Sequence, residues 1–339
     1  MFLVHPSDLT RRRRRCRAVV ERLLPLEREI VPRCNICSSN ESVVLARRDR
    51  YGFPVRTALC WKCGLVYLVD RFTASSYSEF YGKGDYRVLT SLYNGSRVQP
   101  ETLEAQHASY AQDIISLLAG HVLPGGGSLL DVGGGNGGVA ERVAGHFGLR
   151  GTVLDPAASD VVKARQRGLD AFTGTVEDWK TENRFDVILL CQTIEHLFDL
   201  RMALDRIRSL LTPQGLFYCD IVDFTEACRH EGPPEVSSKI DHCFWLWQEA
   251  APTIFRSVGF EVVSMSAVSG PDYVGFLLRP CAVNGQPAMP EEQIHGQLRR
   301  LRELEAEWFD SGKKPDTARE WLRRKAYRTK RNILRMAGR

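Results

Sequence analysis

The chain has 339 residues, of which 43% are hydrophobic and 26% are charged, and its formal net charge is +5. This composition is that of an ordinary globular protein, and the length predicts two or three structural units rather than one core. No apolar run is long enough to span a membrane, and the apolar stretch at the start is too short for a secretory signal. We therefore expect a cytoplasmic protein.

The positive charge is concentrated near the two ends. Residues 11–17 hold six arginines, and residues 320–339 hold eight lysines or arginines against one glutamate. We expect residues 1–30 to form a basic tail with one helix, and residues 283–339 to form a linker and basic helices. Such ends suit peripheral contact with anionic membrane lipid, nucleic acid or acidic partners, or they are solvated surfaces.

Two C-x2-C pairs predict a metal site. Cys34 and Cys37 form the first pair, Cys60 and Cys63 form the second, and a stretch that reads as short strands separates the pairs. This spacing is typical of a tetrahedral zinc site, whereas disulfides are disfavoured in a cytosolic chain and a redox pair would lie beside a βαβ unit. We predict a zinc ribbon over residues 31–72 with structural Zn²⁺, because four cysteines leave no open coordination position.

A tyrosine-rich link over residues 73–100 follows the ribbon. It contains Tyr77, Tyr81, Tyr86 and Tyr93, which either cover a substrate pocket or pack between the ribbon and the next domain. The apolar period of residues 101–122 then predicts a helix.

Strands and helices alternate from residue 128 onward. The pattern predicts about seven strands with helices between most of them, ending in a pair of strands at 260–268 and 272–280. Residues 101–282 are therefore expected to form one α/β domain with a mostly parallel, Rossmann-like sheet.

The sequence "SLLDVGGGNGGVAERV" contains two competing cofactor patterns. Gly133, Gly135 and Gly138 satisfy the dinucleotide pattern G-x-G-x-x-G, whereas Asp131, Gly133, Gly135 and Gly137 satisfy D-x-G-x-G-x-G, the loop that binds S-adenosylmethionine (SAM). A carboxylate at Asp131 would repel a pyrophosphate but suits a ligand that carries an ammonium and a sulfonium. Asp131 therefore favours SAM, and the features that follow lead us to predict it as the cofactor.

Three later residues are predicted to complete the cofactor site. Asp155 ends the second strand and can accept hydrogen bonds from both ribose hydroxyls, which either cofactor would need. Asp178 follows the third strand, where it can accept from the adenine amine, and Trp179 can cover the ring.

Residues 100–280 resemble a class I SAM-dependent methyltransferase. The resemblance rests on D-x-G-x-G-x-G together with "LDP", "VEDW", "FDVILLCQTIEHL" and "LTPQG". The ribbon-first arrangement, with "CNIC…CWKCGLVYL" and "KIDHCFWLW", is similar to a bacterial family of zinc-ribbon methyltransferases found with genes for polysaccharide and sugar modification. One departure is Gly134, where most members carry a bulkier residue.

An oxygen acceptor needs a general base, and four residues are candidates. Glu195 and His196 follow the fourth strand, Asp223 ends the fifth, and His242 lies in the region that roofs the acceptor site in such folds. His196 could instead shape the pocket, and His242 could be a packed histidine. Phe244, Trp245 and Trp247 either stack on a sugar or form the apolar face of the next helix.

Three functions follow from these predictions. The first is methylation of a sugar hydroxyl on a nucleotide, a lipid carrier or a glycan end, with the basic C-terminus near the membrane. The second is methylation of RNA gripped by the ribbon and the basic ends. The third is a non-catalytic module that uses zinc and SAM for shape. We favour the first, and the oligomeric state is left open.

Overall fold

The computed structural model describes residues 3–95, 100–122, 125–270, 272–283, 285 and 287–312. Helices and strands cover most of these residues. The helices are α1 (Pro6–Leu23), α2 (Ala74–Gly82), α3 (Asp85–Asn94), α4 (Pro100–Leu118), α5 (Gly138–Phe147), α6 (Ala158–Gln166), α7 (Leu200–Leu210), α8 (Phe224–His230), α9 (Pro234–Ser237), α10 (Ala251–Ser257) and α11 (Glu291–Gly312). The strands are β1 (Arg28–Ile30), β2 (Ser42–Ala46), β3 (Thr57–Cys60), β4 (Val66–Leu68), β5 (Asp70–Phe72), β6 (Ser128–Val132), β7 (Arg150–Asp155), β8 (Asp170–Thr173), β9 (Phe185–Leu190), β10 (Leu211–Val222), β11 (Phe244–Trp245), β12 (Phe260–Ala267) and β13 (Tyr273–Pro280).

A seven-stranded sheet forms the centre of the larger domain. Its strand order is β12-β13-β10-β9-β6-β7-β8, and the five strands from β10 to β8 are parallel. β13 runs antiparallel between β10 and β12, which confirms the predicted closing pair. This is the Rossmann-like, mostly parallel seven-stranded sheet that the sequence predicted. Helices cover both faces of the sheet. The central strands are therefore largely buried, as in "FDVILL" of β9.

The ribbon forms a second, smaller sheet that the larger domain completes. β2, β3 and β4 pair antiparallel, and β11, which comes from the larger domain much later in the chain, adds to the edge of β4. Phe244 and Trp245 are therefore strand residues with 1% exposure each. They do not form the apolar face of the next helix, because α10 begins only at Ala251.

The tyrosine-rich link forms two short helices, α2 and α3. Thr73 caps α2 by accepting from the backbone N–H of Ser76, and Gly84, with φ of 70°, separates the two helices. α3 packs against α1, so the link joins the N-terminal helix to the ribbon and the sheet domain.

The C-terminal helix α11 corrects one expectation. Within the described residues it carries six acidic residues against three arginines, and it buries Ile294, Leu298, Leu301 and Trp308 against the body of the protein, in contact with α1 and α8. The part of the C-terminal region that the structure describes is therefore an acidic, packed helix rather than a basic one. The basic residues from 323 onward, with their predicted membrane contact, lie outside the described residues. No helix among the described residues is long and apolar enough to cross a membrane.

Candidate cofactor and acceptor site

The glycine-rich loop joins the end of β6 to α5. Gly133, Gly135 and Gly137 have φ values of 72°, 53° and 76°, a left-handed conformation that favours glycine. A Cβ on Gly133 would lie 2.6 Å from Thr193, and one on Gly137 would lie 2.5 Å from Leu169. At Gly135 the space for a Cβ is open. The outer glycines are therefore required by packing, and the middle one faces free volume.

Asp131 lies beneath this loop with no hydrogen-bond partner for either carboxylate oxygen among the described residues. It is fully buried, and a Cβ on Gly134 would come within 2.7 Å of its carboxyl carbon. In this chain the Asp131 carboxylate occupies the space that a side chain at Gly134 would need. Burial, with the nearby carboxylates of Asp155 and Asp220, raises the pKa of Asp131 to about 8.

Asp155, at the end of β7, holds the loop from the other side. Its Oδ2 accepts from Gly135 N at 2.8 Å and its Oδ1 accepts from Ala157 N at 2.7 Å. Each oxygen keeps a further lone pair that a ribose hydroxyl can use. Burial raises the pKa of Asp155, and the two backbone donors oppose that effect.

Asp220 on β10 is a residue of this region that the sequence analysis missed. It is fully buried, its Oδ1 accepts from Gln192 N at 2.7 Å, and its Oδ2 has no partner among the described residues. Gln192 itself has φ of 49°, an uncommon value for a residue other than glycine. An aspartate inside the apolar strand "GLFYCDIV" was the available signal, since a carboxylate in a central strand is costly without a purpose.

Asp178 and Trp179 remain predictions as adenine contacts. Asp178 is exposed and accepts from Thr175 Oγ1 at 3.2 Å. The ring of Trp179 is half-buried and lies 5.4 Å from that of Phe172 and 6.3 Å from that of Phe185. Asp178 and Trp179 thus contact other protein groups near the edge strand β8 in the described structure.

His196 and His242, distant in sequence, are brought together beyond the end of β9. A short 3-10 turn, Ile194–His196, follows the strand, and the two imidazole rings lie 4.7 Å apart in an edge-to-face arrangement. His196 Nδ1 lies 2.8 Å from the carbonyl oxygen of Asp241 and 3.0 Å from the Tyr81 hydroxyl. The connection that carries His196 also reaches the glycine loop, since Thr193 lies against Gly133.

Two charged groups accompany the histidines. Lys239 Nζ lies 3.2 Å from His242 Nε2, and Asp241 is 6% exposed with Oδ1 unpartnered among the described residues. Burial and the nearby Arg50 lower the pKa of Lys239 to about 8. The donors of His196, Asp241 and His242 are close enough to hold a metal ion, but an ammonium beside His242 disfavours a second cation there.

Two of the four candidate bases are instead engaged with the backbone. Glu195 Oε1 accepts from Val222 N at 2.6 Å, and burial beside Asp220 raises the Glu195 pKa to about 7. Asp223 accepts from Glu226 N at 2.9 Å and from Gln248 N at 2.7 Å, and so caps α8. Both carboxylate oxygens of Asp223 thus help to fix this turn, and its role as a base stays a prediction.

The aromatic candidates divide into packing and site residues. Trp247 is 3% exposed and donates to Gly64 O at 2.7 Å, so with Phe244 and Trp245 it joins the ribbon to the larger domain rather than facing a sugar. Tyr77 donates to Ile240 O, and Tyr81 donates to Asp241 O. Tyr86 pairs with Arg87, and Tyr93 packs against Tyr51 beside Arg12 and Arg50.

The four ribbon cysteines converge as predicted. Cys34 and Cys63 have sulfurs 3.5 Å apart, Cys37 and Cys60 have sulfurs 3.4 Å apart, and all four sulfurs lie within 4.8 Å of one another. In a tetrahedron with metal–sulfur bonds of about 2.3 Å the sulfurs are separated by about 3.8 Å, so the cluster fits a Zn²⁺ ion. All four side chains are buried. The four cysteines form a site that could hold a metal ion.

Comparison with known families matches residues 103–265 to the model of a methyltransferase domain. Residues 103–265 are therefore similar to a methyltransferase domain. This domain is 34% identical over 94 residues to a ubiquinone biosynthesis O-methyltransferase of Nitrobacter winogradskyi, which covers 26% of this chain and 36% of the relative. The corresponding protein of Bradyrhizobium diazoefficiens is 31% identical over 98 residues, or 27% of this chain and 38% of the relative.

The chain thus spans little more than a third of the curated relatives that it matches. Among solved structures, magnesium protoporphyrin IX methyltransferase of Synechocystis, with bound S-adenosylhomocysteine, has a TM-score of 0.46 and 14% identity. That alignment covers 61% of this chain and 98% of the other. The methyltransferase domain is accordingly defined by the family match and by its own sheet.

Proposed function

We propose that this protein transfers the methyl group of SAM to a hydroxyl oxygen, and that the acceptor hydroxyl belongs to a sugar. The observation that carries the proposal is the histidine cluster of His196 and His242, since His196 lies on the connection after β9 whose Thr193 packs against Gly133 of the glycine loop. Transfer to oxygen requires removal of a proton from the acceptor hydroxyl. An imidazole, whose ordinary pKa lies near neutral pH, is the side chain best suited to accept that proton.

The residues beneath the glycine loop suit SAM. Gly135 leaves open volume beside its backbone, and Asp155 has lone pairs for the ribose. The bound cofactor supplies a methyl group already activated by a positive sulfur. The protein's own tasks are to align the acceptor oxygen, exclude water and take up one proton.

The choice of a sugar rests on the resemblance of the ribbon-first arrangement to methyltransferases of polysaccharide genes, and on the polar character of the cluster. Tyr81, His196, Lys239, Asp241 and His242 offer hydrogen-bonding groups in one place. The curated relatives are named as O-methyltransferases, which agrees with transfer to oxygen.

The test is to incubate the purified protein with methyl-labelled SAM and an extract of its own host, and then to separate lipid, sugar-nucleotide, RNA and protein fractions. We expect alkali-stable label in the lipid or sugar-nucleotide fraction. Asp155→Ala should abolish it and should weaken SAM binding in a direct titration. Exposed Asp170→Ala, on the neighbouring strand, is the matched control.

Label confined to RNA would instead favour a nucleic-acid methyltransferase, and binding of SAM without label in any fraction would favour a non-catalytic module. Either outcome would contradict the proposed sugar acceptor.

A further inference from the structure

We infer that His196, through its Nε2, is the general base of this site, and that Lys239 prevents His242 from taking that role. The inference rests on the proposed transfer to oxygen and names the residue that accepts the proton. It also makes Lys239 and the carbonyl group of Asp241 positioning groups.

The hydrogen bonds of His196 determine which of its nitrogens carries the proton. A backbone carbonyl only accepts, so Nδ1, at 2.8 Å from Asp241 O, must be the N–H nitrogen of the neutral ring. Tyr81 donates to the same carbonyl and stands 3.0 Å from Nδ1. The lone pair therefore lies on Nε2, which has no hydrogen-bond partner among the described residues, and the ring is only half-buried.

His242 is arranged in the opposite sense. An ammonium only donates, so charged Lys239, at 3.2 Å, donates to Nε2 of His242 and occupies its lone pair. The proton of the neutral ring is then on Nδ1, which is buried and unpartnered among the described residues. His242 has no free lone pair with which to remove a proton. Its 4% exposure and its edge contact with His196 suit a residue that fixes the His196 ring.

The surroundings favour a neutral His196 that becomes charged only during the reaction. Burial lowers the His196 pKa, Lys239 lowers it further, and the Asp241 carboxylate raises it. His242 and Tyr81 complete the groups that face the ring, and Glu195 is the adjacent carboxyl. A ring that is unprotonated at neutral pH is ready to accept a proton.

The step balances without a further reactant. The proton of the acceptor hydroxyl moves to Nε2 of His196 while the oxygen forms its bond to the methyl carbon and the carbon–sulfur bond breaks. The electron pair of that bond stays on sulfur, which becomes neutral. The resulting imidazolium keeps its Nδ1–H on Asp241 O, and the proton later leaves to water.

The position of Asp241 O is held by residues far away in sequence. Ile240 N donates to Asp49 Oδ2 at 2.9 Å, and Tyr77 donates to Ile240 O at 2.7 Å. The ribbon and the link helices therefore fix the carbonyl that orients His196.

A spectroscopic experiment tests the assignment without an acceptor. The protein is labelled with ring-¹⁵N histidine, and the two residues are identified by the signals lost in His196→Gln and His242→Gln. We expect both rings to be neutral with the proton on Nδ1 at pH 7.5. Lys239→Met should shift the Nε2 signal of His242 and leave His196 in its tautomer, while Lys239→Arg should restore the wild-type signal.

A proton on Nε2 of His196, or a His242 Nε2 signal indifferent to Lys239→Met, would overturn the inference. These signals do not depend on turnover. They therefore distinguish a failure of this inference from a failure of the proposed function.

The kinetic arm uses the labelled fraction of the extract experiment. We expect His196→Gln to lower methyl transfer by about 100-fold or more and His242→Gln by less than about 10-fold, with unchanged SAM affinity in both. The reverse order of effects would overturn the assignment. Wild-type protein that methylates no fraction would contradict the proposed function and leave the tautomer results to decide the ring assignment.

Discussion

The cofactor side and the acceptor side of the proposed site are built in different ways. The cofactor side consists of one continuous stretch, residues 128–143, together with Asp155 at the end of the next strand. The acceptor side combines the end of β9, the link helix α2 and the segment 239–242, which is itself bound to the ribbon. A cofactor loop that presents backbone can be local, whereas orienting a base requires side chains from several elements.

The ribbon is accordingly part of the acceptor side. Leu68 N donates to Cys243 O at 3.0 Å, Thr57 Oγ1 donates to Ser238 Oγ at 3.0 Å, and β11 pairs with β4 shortly after His242. The ribbon thus holds the segment that carries Lys239, Asp241 and His242 at both of its ends. This arrangement gives the largest expected effect below.

Removal of the ribbon metal should impair the acceptor side and leave the cofactor side nearly unchanged. Cys60→Ser with Cys63→Ser removes two thiolates from the cluster, and structural zinc sites contribute on the order of 10 kcal/mol to folding. We expect loss of bound Zn²⁺ by elemental analysis, loss of methyl transfer, and a SAM affinity within about 3-fold of the wild type by titration calorimetry.

The matched control is Cys281→Ser, a half-buried thiol outside the cluster, which should keep metal, transfer and SAM affinity. Equal loss of SAM binding in the double variant would show that the ribbon supports the cofactor side as well. A double variant that retains methyl transfer would contradict a role for the ribbon in holding the acceptor side.

The difference between the two sides also explains what the sequence could predict. The sheet, the cysteine cluster and the glycine loop follow from spacing and alternation, which are local properties. The contact of His196 with His242 is not local, because it depends on β11 joining the ribbon sheet. Lys239 and Asp241 were missed for the same reason, although both stand beside His242 in "KIDHC".

The aromatic residues after His242 show a second limit. Their spacing fits the apolar face of a helix as well as a sugar platform, and neither pattern includes the observed pairing of Phe244 with Tyr67 in the distant ribbon strand β4. The position of Asp223 at a strand end suggested a general base, but the same carboxylate caps α8. Whether an acidic side chain at a strand end binds a ligand or caps a helix depends on the next turn of the chain.

Asp131 gives a smaller effect, confined to the cofactor side. Its folded-state pKa of about 8 lies above the ordinary carboxyl value, so the folded protein holds a proton that the unfolded chain releases. The contribution to stability is full below about pH 4, declines as the pH rises, and levels off above about pH 8. Between pH 6 and 8 we expect Asp131 to account for a loss of about 2 kcal/mol in the free energy of unfolding.

Asp131→Asn should remove that part of the decline, as measured by urea unfolding without ligand at each pH. Asp49 and Glu195, whose pKa values burial raises to about 7, keep part of the slope in both proteins, so the difference between variant and wild type is the quantity to compare. Exposed Asp170→Asn should follow the wild-type curve. Parallel curves for Asp131→Asn and wild type would contradict a buried, protonated Asp131.

The smallest effect concerns Gly135, where backbone conformation and ligand space can be separated. Gly135 has φ of 53° and open space where a Cβ would lie, and Gly84 has φ of 70° with equally open space, at the start of α3. A left-handed residue other than glycine costs about 1–2 kcal/mol, so Gly135→Ala and Gly84→Ala should lose similar stability without ligand. Only Gly135→Ala places a methyl group in the volume assigned to the cofactor, and we expect it alone to weaken SAM binding, by about 10-fold or 1.4 kcal/mol. Equal SAM affinities in the two variants would mean that the open space at Gly135 faces solvent rather than the cofactor. The proposed cofactor side would then rest on Asp131 and Asp155 alone.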